Sequence, residues 1–94
     1  MPKLDLNFDG FQRDWFTLEK PEQLAVLKSL KKLRSLEWSE VYQDRGLRWE
    51  LAREHRGERF YSIRVSQKCR ALVQRRDDFV VFVSLHPDHD LAYS

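Results

Sequence analysis

Tyr61-Ser62-Ile63-Arg64-Val65-Ser66-Gln67-Lys68-Cys69-Arg70 is the stretch on which the reading of the fold turns. Its first six residues alternate. Tyr61, Ile63 and Val65 fall on one side of an extended chain, and Ser62, Arg64 and Ser66 fall on the other. One face of such a strand belongs to a core, and the other is a polar working surface that carries a guanidinium. The neighbouring segments should complete the sheet or cover its back.

Downstream, Gln67-Lys68 reads as a tight connection or bulge. Ala71 and Val73 alternate with Leu72 and Gln74, which predicts a strand over 70–75. Asp77-Asp78 makes a turn. Phe79 to Leu85 is a nearly continuous apolar run, the mark of a central strand buried on both faces. From His86 the chain reads as a polar tail.

Upstream, His55-Arg56-Gly57-Glu58 reads as a turn. Before it, Leu47, Trp49 and Leu51 alternate with Arg48, Glu50 and Arg53, predicting another strand. Residues 37–46 are irregular or a single short helical turn, with Trp38, Val41 and Tyr42 as packing residues. Pro21 and Glu22 suit a helix start. Leu24, Leu27, Leu30 and Leu33, helped by Val26, predict an amphipathic helix to about residue 36, its leucine stripe on the core. Phe11, Trp15, Phe16 and Leu18 predict a shorter helix before it. Leu4, Leu6 and Phe8 suggest a short first strand at a sheet edge. The expected architecture is a single α+β domain over 1–94, with two N-terminal helices packed on an antiparallel β-sheet meander.

Composition agrees with a packed domain. Of the 94 residues, 41% are hydrophobic and 34% charged, and the charges are well mixed. No apolar run approaches the ~18 residues of a membrane helix, and the N-terminus lacks a signal-peptide pattern. The lone cysteine, Cys69, cannot form an internal disulfide, which fits a reducing cytoplasm. The net charge of +2 hides a basic middle. Residues 45–76 hold ten basic residues, nine of them arginine, against three acidic ones. Residues 77–94 hold four aspartates and no Lys or Arg. An arginine-rich sheet segment suits an anionic partner, nucleic acid or acidic peptide. For any single arginine, a solvated surface position is the commoner role.

No phosphate-binding loop, dinucleotide fingerprint, paired-cysteine motif or nucleophile elbow is present. His86 and His89, with Asp88 and Asp90, form a polar tail that also has the makings of a metal site or a proton-transfer group. Glu50 faces away from its apolar neighbours, toward a salt bridge or a carboxylate role among arginines. Arg64 and Arg70 suit phosphate binding, with Lys68 beside them. RNA brings its own nucleophile, the 2′-OH. Cleaving it needs a base, a stabiliser for the phosphorane and an acid for the 5′-oxygen, and Glu or His, Arg, and His or Tyr can supply these without metal.

The pattern Tyr-Ser-Ile-Arg-Val-Ser-(x)3-Arg-Ala-x-Val over 61–73, followed by a turn, an apolar strand and His-Asp-x-Ala-Tyr over 89–93, resembles the RelE/ParE superfamily of bacterial type II toxins. The order of helix pair and meander is similar too. The resemblance implies a toxin neutralised by a cognate antitoxin. RelE-like members cut mRNA on the ribosome without metal or cofactor, and ParE-like members inhibit DNA gyrase instead. By that likeness Arg70 matches the arginine that stabilises the scissile phosphate, and Arg64 a second basic position. Glu50 matches the general base, and His89 and Tyr93 match the C-terminal acid. A binding module that holds an antitoxin without cutting RNA is the other outcome it implies.

Overall fold

A computed structural model describes residues 1–87. The chain runs β1 (Lys3–Asp5), α1 (Asp9–Phe16), α2 (Lys20–Ser35), α3 (Trp38–Gln43), β2 (Glu50–His55), β3 (Glu58–Ser66), β4 (Cys69–Arg76) and β5 (Phe79–Pro87). The five strands form one sheet in the order β1-β5-β4-β3-β2. The meander β2 to β5 is antiparallel, as expected, and β1 adds to its far edge parallel to β5, through Leu4↔Val80. The sheet is therefore mixed rather than purely antiparallel. No described helix is long and apolar enough to cross a membrane.

The three hairpins each close with two residues, which fixes the register of every antiparallel pair. His55 pairs with Glu58 around Arg56-Gly57, Ser66 with Cys69 around Gln67-Lys68, and Arg76 with Phe79 around Asp77-Asp78. Arg56 (φ 53°) and Gly57 (φ 81°) both lie in the left-handed region, as a type I′ turn demands.

Alternation then sorts the side chains. Ile63 and Val65 on β3, Ala71 and Val73 on β4, and Val80, Phe82 and Leu85 on β5 form one core with Phe11 of α1 and Val26, Leu30 and Leu33 of α2. Phe11 meets Phe82 at 5.1 Å between ring centroids. Helix α1 lies against β5 and α2 against β3. Tyr61 faces the same side and packs against Trp49, with ring centroids 5.0 Å apart and the planes tilted by 32°.

Three expectations shift. Helix α2 buries Val26, Leu30 and Leu33, whereas Leu24 (55% exposed) and Leu27 (37%) face outward. The segment after it is a true third helix: Glu37 and Glu40 exchange side-chain-to-backbone bonds in a capping box. Its Trp38 and Tyr42 pack on Trp49, while the Arg75 guanidinium stacks 3.8 Å over the Trp38 ring. Finally, Leu47 and Trp49 precede β2 instead of belonging to it. Arg48 between them has a φ of 51°, which breaks the extended chain. Leu51 is in the strand but 58% exposed.

Candidate functional site

The second face of the sheet, opposite the helices, carries the candidate site. Residues paired directly across strands stand on the same face. Arg64 pairs with Arg70, and Arg70 in turn pairs with His86. One row thus crosses β3, β4 and β5 as Arg64, Arg70 and His86. The adjacent row runs Glu50, Ser62, Leu72 and Ser84 across β2 to β5. Ser62 and Leu72 are buried, at 7% and 6% exposure, so the face is more closed than an open polar strand surface.

Arg64 is held by its backbone from several sides. Its N–H donates to Leu47 O at 2.6 Å, which ties the approach to β2 onto β3. The register slips just past it, between Arg64 and Ser66. That bulge takes Val65 out of register, and its carbonyl accepts the Ser29 hydroxyl of α2 at 2.6 Å. Ser66 donates to the Glu22 carboxylate at 2.7 Å and accepts from the Lys68 N–H at 3.2 Å. Helix α2 therefore clamps the strand end that presents the arginines. Arg64 Nε is fully buried, and both arginines are half-buried. A planar guanidinium that keeps little freedom is well suited to bidentate oxyanion contact.

The expected site residues fall into three groups. Arg64, Arg70 and Glu50 do share one face. By strand spacing, Glu50 and Arg70 are ~12 Å apart at Cα, two strands across and one row along. Their long side chains can flank a group lying between them. Glu50 is engaged by Arg48 at 3.2 Å, and Glu54 by Arg59 at 3.0 Å. Lys68 sits exposed on the β3–β4 turn, at the same end of the sheet as Arg70. It borders a groove of about 390 Å³ together with Asp14, Glu22, Cys69 and His86. His89 and Tyr93 lie outside the described residues. Among the described residues, no three His, Cys, Asp or Glu side chains gather as metal ligands would.

Sequence reading placed His86 in a tail. Strand β5 instead continues to Pro87, and His86 Nε2 lies 2.7 Å from Ser84 Oγ. The signal was present: Ser84, Leu85 and His86 prolong the polar–apolar alternation past the apolar run.

With this geometry in hand, comparison with known proteins is informative about the architecture. No family model matches the chain, and no curated protein matches it. A solved structure does: a copper-bound point mutant of a toxin from Helicobacter pylori. The fold is shared with a bacterial toxin. The match has a TM-score of 0.56 and spans 97% of this chain and 99% of that one, at 18% identity. At that identity it is the arrangement of strands and helices that is held in common. The side chains of the candidate site stand on their own geometry.

Proposed function

We propose that this chain is the toxin of a type II toxin–antitoxin system, of the RelE/ParE kind, and that it cleaves mRNA on the ribosome in the cytoplasm. The observation that carries the reading is the direct Arg64–Arg70 pairing on the sheet face that also bears Glu50. The fold likeness to a Helicobacter pylori toxin supports the toxin class. In the proposed reaction the RNA 2′-OH attacks the adjacent phosphorus as Glu50 takes its proton. Arg70 and Arg64 hold the charge that builds on the phosphorane oxygens. The P–O5′ bond breaks, and the leaving oxygen receives a proton from the C-terminal His89 or Tyr93. The products are a 2′,3′-cyclic phosphate and a 5′-hydroxyl, and no metal or cofactor takes part. A cognate antitoxin, rich in acidic residues, is the expected protein partner.

Induced expression in bacteria should arrest growth, with mRNA cut on translating ribosomes. Arg70→Ala should lower cleavage by about 10²–10³, the usual cost of removing one pre-organised donor to a developing oxyanion. Full toxicity in a combined Glu50→Ala, Arg70→Ala, His89→Ala variant would overturn the mechanism. The ion pair between Glu50 and Arg48 favours a second reading, in which the face binds a partner without cutting RNA. A DNA-damage response without mRNA cleavage would assign it to gyrase inhibition. Co-purification with a small acidic protein without growth arrest would assign it to antitoxin binding alone.

A further inference from the structure

Pairing between β3 and β4 runs from Ser66↔Cys69 as far as Tyr61↔Val73 and ends there. Both strands go on for three more residues. Glu58, Arg59 and Phe60 pair outward with β2, and Gln74, Arg75 and Arg76 pair outward with β5. The sheet therefore forks toward its Arg56-Gly57 and Asp77-Asp78 turns. A groove of about 520 Å³ lies in the fork, lined by residues 57–59 and Tyr61 on one arm and by 74–77 on the other.

Hairpin geometry decides what faces the opening. Glu58 and Arg76 each flank a two-residue turn, so their backbone groups bond across that turn to His55 and Phe79. Alternation then aims the N–H and C=O of Arg59 and of Arg75 into the fork. Had the register of β3 and β4 continued, these two arginines would stand directly opposite each other, like charges on one face. Arg59 is held by Glu54 of its own hairpin at 3.0 Å. Arg76 reaches across the fork to Glu58 at 3.6 Å, with both side chains more than half exposed, which makes a weak pair. Among the described residues, the partners of Arg75 are all uncharged. It donates to the Tyr42 hydroxyl and, at 2.9 Å, to the Asp77 carbonyl, and its guanidinium lies 3.8 Å over the Trp38 ring. The plane of that guanidinium is fixed, and no carboxylate of the described residues answers its charge.

We propose that the fork is a docking site for an extended, acidic peptide segment of a partner protein. The segment enters between the arms, and its backbone exchanges hydrogen bonds with the N–H and C=O of Arg59 and Arg75, as an added strand does at an open sheet edge. One of its carboxylates meets the Arg75 guanidinium, whose fixed plane suits bidentate contact. Each half of the site narrows the choice of occupant. A nucleic acid strand could answer the guanidinium but has no peptide ladder to offer the two backbones. A basic or apolar peptide could offer the ladder but would leave the charge of Arg75 unanswered. The fork lies at the far end of β4 from Arg70, so peptide binding there and RNA cleavage stand or fall separately.

The test uses the full chain and a short fluorescein-labelled peptide of alternating valine and glutamate, with binding followed by anisotropy. The wild type should bind it. Arg75→Gln should weaken binding on the order of tenfold, the cost of one hydrogen bond to a charged group. Arg34→Gln, on the exposed side of α2, should leave it unchanged. The same peptide with lysine in place of glutamate, or N-methylated along its backbone, should bind weakly or not at all. Because Arg75 also packs on Trp38, a second measurement uses the wild type alone: the Arg59 and Arg75 amides should exchange more slowly with the glutamate peptide present. No binding of that peptide would overturn the proposal, as would equal binding by Arg75→Gln, equal binding of the N-methylated peptide, or unchanged exchange at both amides. A 2′-O-methyl RNA oligonucleotide that displaces the peptide and depends as strongly on Arg75 would overturn it too, and would assign the fork to nucleic acid.

Discussion

Asp44 lies away from the arginine row, yet it holds the backbone that supports it. One carboxylate oxygen accepts both Lys32 Nζ and the Leu47 N–H at 2.8 Å, and Leu47 O in turn accepts the Arg64 N–H. The hydrogen bond from Lys32, followed in weight by burial in the opposite direction and the Leu47 N–H, leaves the Asp44 pKa below its ordinary 3.8. A carboxyl whose folded pKa is depressed adds stability that is present above the ordinary value and is lost as pH falls through the folded one. Asp44→Ala is therefore expected to cost about 1–3 kcal/mol at pH 7, in the range of hydrogen bonds to a charged group. In urea unfolding, the gap between wild type and variant should narrow as pH drops below 3.8. None of this was legible in the sequence, where Asp44 is one acidic residue among many in an irregular stretch. Arg64 and Arg70 were legible as neighbours, because a period of two and a short turn leave little choice of register. Their half-buried state was not, since a strand's local pattern does not say what packs over its polar face.

Helix α2 shows how a stripe can be read with the right period and a partly wrong phase. Four leucines three apart drift around a helix, since three residues fall short of a full turn. Val26, Leu30 and Leu33, spaced four and three, stay on one side, and it is these that meet the sheet. Val26→Ala or Leu30→Ala should lower stability, by about 2–5 kcal/mol for the leucine. Leu24→Ala should change it by about 0.5 kcal/mol or less, as exposed substitutions do. Thermal or urea melts of the three variants would check the phase. The strands were more legible than the helices for a related reason. An error of one residue in a strand moves every side chain to the wrong face, so its pattern is written strongly. The left-handed Arg48 and the aromatic cluster under α3 depend on contacts distant in sequence, and no local pattern announces them.

Taken as a fold, the chain was read correctly as helices followed by a meander, and the first strand as an edge. What could not be read was its partner. Three residues, Lys3–Asp5, carry too little pattern to choose between the two edges of the sheet or between parallel and antiparallel pairing. The structure seats them beside β5, where Leu4 reaches the core and Lys3 N donates to Asp78 O at 2.7 Å. That pairing has a kinetic consequence. The three two-residue hairpins bring together segments adjacent in the chain, whose closure entropy is small, whereas Leu4↔Val80 closes nearly the whole length of it. Contacts that must wait for a long closure tend to form after the rate-limiting barrier. Leu4→Ala should then speed unfolding while leaving the refolding rate almost untouched, giving a φ-value near zero. Val73→Ala, in the central strand β4, should slow refolding. Stopped-flow chevrons would separate the two, and a large drop in refolding rate for Leu4→Ala would place β1 in the nucleus instead. On this view the parallel strand works as a late latch: it sets how long the assembled sheet stays closed, and has little say in how quickly it forms.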